Sequence, residues 1–271
     1  MKNNTRIAII GAGNIGCSLA EGLLSSGVFK SENLTLTRRK VELLKDYKQK
    51  GITVISDNQV AVNRSDVIII GVEPQQIDDL LMEIGADLHP EKHILISVVT
   101  GVSINQIEKK IGKKIPVVRA MPNTAISIRE SMTCIASDRS NESALEMATT
   151  IFKTVGKTLR IEEELMSSAT ALGACGVAFF LRAIRAASQG GIEIGFHSDK
   201  ALQIAAQTAK GAAALLLENK EHPEFEIDKV TTPRGVTISG LNQMEHQGFS
   251  SAMIKGIVVS AEKAERLYKE E

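Results

Sequence analysis

Residues 7–16 read IAIIGAGNIG, and no other stretch of the chain narrows the fold as far. An apolar run of strand character leads into Gly11, Gly13 and Gly16, spaced as G-x-G-x-x-G, and a helical pattern opens directly behind them. The first glycine permits a tight turn, the second lets the backbone approach a pyrophosphate, and the third lets helix and strand pack closely. The N-terminus of the following helix then presents free N–H groups and a partial positive charge to phosphate. In this context the spacing predicts a dinucleotide-binding βαβ unit, with Gly11, Ala12, Gly13, Asn14, Ile15 and Gly16 around the diphosphate. Without a ligand the same glycines would be only a strand–helix turn.

The first half of the chain continues the alternation. Short β-branched runs at 6–10, 33–37, 66–72, 93–99 and 115–121 are separated by helical patterns at 14–27, 40–51, 74–88 and 103–112. Further strands are expected at 131–137 and 156–161, around a helix over 141–155. This order predicts an α/β Rossmann fold, a doubly wound, mostly parallel sheet. After about residue 160 the pattern becomes all-helical. It comprises one long or two abutting helices over 162–191, another over 199–220, and a last over 248–271 with Ile254, Ile257, Val258 and Ala261 on one face. The expected division is a nucleotide-binding domain at 1–160 and a helical domain at 161–271.

Composition excludes several classes. Lys plus Arg and Asp plus Glu both number 32, which leaves no electrostatic footprint for nucleic acid. Tryptophan is absent and aromatics are scarce, so base-stacking platforms are not expected. The three cysteines are far apart and no histidines pair at ligand spacing, so neither a metal site nor a disulfide framework is predicted. The N-terminal apolar run is too short for a signal peptide, and the charge-free stretch 165–181 is too short to span a bilayer comfortably. A soluble protein of a reducing cytoplasm, without a membrane partner, is the expectation.

The second strand run ends at Thr37 and is followed by Arg38, Arg39 and Lys40. No carboxylate is present there for a ribose diol. Two guanidinium groups suit a 2′-phosphate, which favours NADPH, with NADH as the alternative. A solvated basic helix start would show the same residues.

Six segments carry a resemblance that runs over nearly the whole chain: IGAGNIG (10–16), SDNQVAVNRSDVIIIGVEPQ (56–75), RAMPNTAISIRES (119–131), TALGACG (170–176), IAAQTAKGAA (204–213) and VTTPRGVTISGLNQMEHQGF (230–249). In these the chain resembles the pyrroline-5-carboxylate reductases. The resemblance implies NADPH- or NADH-dependent reduction of a cyclic imine to L-proline, in an enzyme whose helical domain forms a homodimer and whose dimers often build larger rings. It places Thr232 and the backbone of Arg234, Gly235, Val236 and Thr237 on the substrate carboxylate. Thr237 becomes the catalytic hydrogen-bond partner of the ring nitrogen. It also places Asn58 near the adenosine ribose and Asn123 beside the nicotinamide, while Thr37, Arg38 and Arg39 at one strand end, and Val72, Glu73, Pro74, Thr100 and Gly101 after two others, are expected to face the cofactor crevice. Plain structural readings stand beside these: an N-cap and first-turn proline at Thr232–Pro233, a helix N-cap at Asn58, and turn chemistry at Asn123.

The chemistry agrees with the residue types. Hydride addition to a protonated imine removes positive charge and leaves an amine, so no strong acid is needed, and residues 162–190 contain neither Lys nor His. A lysine early in the helical domain, as β-hydroxyacid dehydrogenases use, is missing. Three departures bear on substrate fit: GACGVA (173–178) where the family commonly has S-G-S-G-P-A, Arg234 where it has glycine, and Glu73 where it has lysine. If position 234 requires positive φ, arginine there carries strain. Cys175 is read as a small buried residue, the histidines as structural or surface groups, and Glu162–Glu164 as a solvated helix start. Reduction of a different cyclic imine, and a non-catalytic dinucleotide-binding regulator, are the competing readings. Apolar helical surface such as ATALGACGVAFFL and IAAQTAKGAAALLL calls for a homodimer.

Overall fold

A computed structural model describes residues 4–138 and 141–268. Residues 1–3 of the N-terminal reading and 269–271 of the last expected helix lie outside the described residues.

The chain divides into two compact units, residues 1–175 with 259–271, and residues 176–258. The first is built on an eight-stranded sheet: β1 Ile7–Ile10, β2 Leu34–Thr37, β3 Thr53–Ile55, β4 Val67–Ile70, β5 Ile94–Ser97, β6 Val117–Met121, β7 Ser131–Ser137 and β8 Gly156–Arg160. Their order is β3-β2-β1-β4-β5-β6-β7-β8. All neighbours pair in parallel except β6 with β7, so the last two strands run against the rest. The strand order reverses between β1 and β4, which opens a crevice at their C-terminal ends. Strand β3 is absent from the sequence reading because three residues carry too little pattern to register.

Alternation along the strands feeds two layers. Ile7 and Ile9 of β1 face Leu19 and Leu23 of α1 (Asn14–Ser25), with Ala148 and Phe152 of α6 (Glu142–Lys153) in the same layer. Ala8 and Ile10 face the opposite layer, where Val62 of α3 (Asn58–Asn63), Leu81 of α4 (Ile77–Ile84) and Ile107 of α5 (Ile104–Ile111) lie. Burial on both faces is why these strands read as continuous Ile/Val runs. Helix α2 (Lys45–Gln49) is a short continuation of a 3₁₀ turn. Helix α5 has complete ends: Ser103 and Gln106 form a reciprocal capping box, and Gly112 closes the C-terminus in the left-handed region.

Beyond β8 the chain stays in this unit through α7 (Met166–Ala169) and a π-helical turn at Thr170–Cys175. The sequence boundary near 160 marks the end of the sheet, whereas the compact unit runs fifteen residues further to Cys175. The second unit holds α8 (Gly176–Glu193), α9 (Ser198–Asn219), α10 (Pro223–Lys229), α11 (Val236–His246) and the first part of α12 (Phe249–Glu265). Helix α10 has no counterpart in the sequence reading. His222 caps it by accepting from the Glu224 N–H, and Pro223 occupies its first turn. Of residues 176–258, only Gly176, Ser188 and Ala201 are buried. One helical run, Glu163–Glu193, is long and apolar enough by length and composition to cross a membrane. It exceeds the 165–181 stretch that the sequence suggests, because helix continues through the charged residues at both ends.

Candidate cofactor and substrate sites

The crevice between β1 and β4 is shaped by Gly11. Its φ is +81°, and a Cβ there would lie 2.7 Å from Val72 Cγ1 and 3.0 Å from the Gly71 carbonyl oxygen. The turn is pinned from both neighbouring strands: Ala12 donates its N–H to Thr37 O at 2.8 Å, and Gly71 donates to Ile10 O at 2.8 Å. A Cβ at Gly16 would press on Ile9 at 3.0 Å, so this glycine sets the approach of α1 to β1. Gly13 is the N-cap of α1 and supplies no side-chain cap, and the first turn holds no acidic residue. The N–H groups of Asn14, Ile15 and Gly16 are therefore available to an anion.

Thr37 is buried rather than exposed along a ligand path. Its hydroxyl accepts from the Gly11 N–H at 3.4 Å and donates to Asn58 Oδ1 at 2.7 Å. Asn58 in turn donates through Nδ2 to both oxygens of Glu83, at 3.2 and 3.1 Å. Thr37 thus supports the turn from behind, and Asn58 is held by its two neighbours. The N-cap of α3 is Asp57, whose carboxylate accepts from the Val60 N–H at 2.9 Å, so the capping alternative for Asn58 is corrected by one residue. Arg38 is half-buried and donates to Ala12 O at 3.3 Å, which lays its guanidinium against the glycine turn. Arg39 and Lys40 are exposed beside it.

Val72, Glu73 and Pro74 follow β4, with Glu73 exposed and its carbonyl closing a 3₁₀ turn onto the Gln76 N–H at 2.9 Å. Thr100 and Gly101 follow β5 and are half-buried. Asn123 follows β6 and is 8% exposed. Its Oδ1 accepts from Ala125 N–H at 3.0 Å, its own N–H donates to Ser131 Oγ at 3.1 Å, and its Nδ2 donates to Gly173 O at 3.0 Å. The last bond satisfies a carbonyl in the widened π turn. Cys175 ends that same turn and is half-buried.

One pair escapes the sequence reading. Arg119 on β6 is 6% exposed, and its guanidinium meets Glu163 Oε1 at 3.2 Å. The same oxygen accepts the Ile104 N–H at the start of α5, at 2.7 Å. Burial draws the Arg119 guanidinium below its ordinary value, and the bond to Glu163 opposes that. Glu163 is therefore a tether between β6 and α5 rather than part of a solvated acidic run. Among the histidines, His93 is fully enclosed and accepts the His89 N–H on Nδ1 at 2.9 Å.

In the second unit the segment before α11 is a closed turn. Gly235 donates its N–H to Thr232 O at 2.8 Å, Pro233 takes the second position, and Arg234 the third with φ +59°. A Cβ at Gly235 would meet Thr232 Oγ1 at 2.5 Å, so the closure admits only glycine. Helix α11 starts at Val236, and its N-cap is Gly235 without a side-chain cap. This corrects the reading of Thr232 as N-cap and Pro233 as first helical residue. The turn leaves the N–H groups of Val236, Thr237 and Ile238 without cap bonds and carries the Thr232 hydroxyl beside them. Thr231 is engaged elsewhere, donating to Ile227 O and Asp228 O at 3.1 Å. Val236 is 91% exposed, Thr237 half-buried, and Arg234 exposed.

A doubly wound sheet, an uncapped glycine-turn helix and paired arginines at the end of β2 define a dinucleotide-linked oxidoreductase. Comparisons with known proteins make this specific. Residues 163–267 match the family described as pyrroline-5-carboxylate reductase dimerisation, and residues 6–101 match NADP oxidoreductase coenzyme F420-dependent. Pyrroline-5-carboxylate reductase 1 of Dictyostelium discoideum is 53% identical over 97% of this chain and 50% of its own length, so the chain spans about half of that relative. Pyrroline-5-carboxylate reductase 2 of the same organism is 50% identical over 98% of this chain and 94% of its own length. The pyrroline carboxylate reductase of Plasmodium falciparum, solved with NADP bound, has the same fold, with a TM-score of 0.90 at 24% identity over 98% of this chain and 99% of that one. The chain belongs to the pyrroline-5-carboxylate reductase family. The apolar run Glu163–Glu193 falls within the matched dimerisation segment, which supports homo-oligomerisation.

Proposed function

We propose that the chain reduces 1-pyrroline-5-carboxylate to L-proline with NADPH as hydride donor, NADH serving less well, and that it works as a homodimer. One observation carries the substrate side: the Thr232–Gly235 turn delivers the uncapped start of an eleven-residue helix together with two threonine hydroxyls. A small carboxylate fits there, held by the Thr232 hydroxyl and by the N–H groups of Arg234, Val236 and Thr237, the Gly235 N–H being spent on the Thr232 carbonyl, in the favourable field of the α11 N-terminus. The Thr237 hydroxyl oxygen accepts a hydrogen bond from the ring N–H and so favours the imine in its electrophilic, protonated form. When bound, the nicotinamide supplies the hydride to the imine carbon, the C=N π pair moves to nitrogen, and a neutral secondary amine forms before protonation from solvent.

On the cofactor side the diphosphate takes the N–H groups of residues 14–16, and Arg38 and Arg39 take the 2′-phosphate. Val72, Glu73, Pro74, Thr100, Gly101 and Asn123 line the path of the rest, and Asn58 is held toward the ribose by Thr37. The division at residue 160 is the functional one, with nucleotide residues before it and the substrate turn after it. Unpaired thiols at Cys17, Cys134 and Cys175 suit a reducing compartment such as the cytoplasm. A second copy is the natural cover for the apolar surface of residues 176–258.

The test follows absorbance at 340 nm with NADPH and L-pyrroline-5-carboxylate. Wild-type oxidation that falls by about two orders of magnitude in Thr237→Ala is expected, on the scale of a lost transition-state hydrogen bond. Unchanged turnover in that variant would remove the role given to Thr237. No turnover at all in the wild type would reject the substrate.

A further inference from the structure

Residues 264–268 pack beside the two turns assigned above to the cofactor. Gly101 sits at φ +83°, and a Cβ there would lie 3.2 Å from Ala264 O, 3.3 Å from Leu267 Cβ and 3.3 Å from Tyr268 N. The backbone of residues 264–268 therefore lies directly on the turn that follows β5, and Ala264 is buried in the contact. The Tyr268 ring packs against the apolar layer that contains Val102, Ile77 and Leu81. Its hydroxyl donates to Asp78 Oδ1 at 2.7 Å, while Lys110 on α5 donates to Asp78 Oδ2 at 2.8 Å. Asp78 stands in the first turn of α4, which continues directly from the Pro74–Gln76 turn after β4. Burial disfavours the Asp78 carboxylate, yet the bonds from Lys110 and Tyr268 hold its pKa below the ordinary value, so the acceptor is ionised.

One aromatic residue thus meets the turn after β5 through its backbone and, through its hydroxyl, the first turn of α4 that follows the Pro74–Gln76 turn. The matched dimerisation segment stops at residue 267, so Tyr268 lies beyond it.

We propose that Tyr268 and Asp78 clamp the turns at 72–76 and 98–102 in the conformation that binds NADPH, which makes Tyr268 a positioning residue for the cofactor. The cofactor effect rests on the function proposed above, whereas the clamp itself does not. The physical link is a population. If the turns spend less time in the competent arrangement, the apparent Kd rises by the inverse of that fraction. Losing one hydrogen bond to a carboxylate lowers the fraction about threefold, and losing the ring packing as well lowers it about tenfold.

The experiment compares Tyr268→Phe, Tyr268→Ala and Asp78→Asn with the wild-type chain. Amide hydrogen exchange, NADPH titration and steady-state kinetics are measured in parallel. For Tyr268→Ala, exchange is expected to quicken in peptides covering 72–76 and 98–102 and to stay unchanged in β1, β2 and the helices of residues 176–258. The NADPH Kd is expected to rise about tenfold for Tyr268→Ala and about threefold for Tyr268→Phe and Asp78→Asn. The imine KM should stay within about twofold, since neither residue belongs to the proposed carboxylate site. Unchanged exchange at the two turns would overturn the clamp, as would equal loosening throughout the sheet. Quickened exchange with an unchanged NADPH Kd would overturn the positioning role. If the wild type binds no NADPH, the proposed function fails, and the exchange comparison alone then decides the clamp.

Discussion

Replacing Glu163 by alanine should destabilise the nucleotide-binding unit more than any other single change at a partly exposed acidic residue. The carboxylate oxygen that meets Arg119 at 3.2 Å is also the acceptor for Ile104 N–H at 2.7 Å. Removing it leaves a guanidinium in a side chain only 8% exposed without its counter-charge. Breaking a buried pair in this way costs about 3–5 kcal/mol, and the 29% exposure of the Glu163 side chain argues for the lower figure. Loss of the acceptor at the start of α5 adds about 0.5 kcal/mol, because the capping box at Ser103 remains. With an unfolding entropy of about 2.1 cal/mol/K per residue, a loss of about 3.5 kcal/mol lowers Tm by about 6 °C for a chain of this length. Glu163→Gln keeps the oxygen and should show about half the effect. The double change Arg119→Met with Glu163→Leu should recover most of the loss, since apolar replacement of a buried pair is close to neutral. Thermal melts by circular dichroism, at one fixed protein concentration, measure all three. A Tm for Glu163→Ala within about 1 °C of wild type, or a double variant less stable than the single one, would refute the argument.

Other outcomes follow from single sites. Arg39→Ala should raise the KM for NADPH about 10- to 100-fold and leave that for NADH unchanged, which parallel titration of the two cofactors would show. Burial holds the His93 imidazole down to about 4, against about 6.5 unfolded. The unfolded chain therefore binds the extra proton between those values: the contribution of neutral His93 is whole above about pH 6.5, declines below it, and is gone below about pH 4. Unfolding free energies from urea titrations at pH 7.5 and 4.5 should differ by about 2 kcal/mol more in wild type than in His93→Gln. Arg234→Gly should raise stability by about 0.5 kcal/mol by relieving a left-handed arginine, read as a higher urea midpoint. A lower midpoint would show that the Arg234 side chain makes compensating contacts.

The fold was legible where local chemistry is strong. Ile and Val runs announced the central strands β1, β4, β5 and β6, and three glycines at fixed spacing announced the first turn. Helix α10 was missed because a seven-residue helix headed by His222–Pro223 has too few turns for a period to show. The 56–58 segment Ser-Asp-Asn offers adjacent capping candidates, and sequence cannot choose between Asp57 and Asn58 when one residue separates them. The left-handed geometry of Arg234 was anticipated, since glycine is common there in the family. The role of Glu163 was not, because its partner stands 44 residues earlier on a strand and three consecutive glutamates look alike. The two clusters of residues proposed to bind cofactor and substrate stand in the sequence as residue types. Their support does not, because Thr37 to Asn58 to Glu83 is a chain of bonds between separate elements.

The bareness of residues 176–258 has a consequence for how the molecule is made. A helical unit that encloses only Gly176, Ser188 and Ala201 has little interior of its own, so under the proposed homodimer its helices wait for an encounter with a second chain. Assembly would then be second order in newly synthesised protein, and abundance itself would set how quickly finished molecules appear. In the proposed two-fold pair every residue of that surface occurs twice. A polar substitution at Phe180, which is 61% exposed in the lone chain, would count once per copy and enter the association constant squared. Co-expressed with normal chains, such a variant would spread its defect into mixed pairs, so its dosage rather than its presence would govern the outcome.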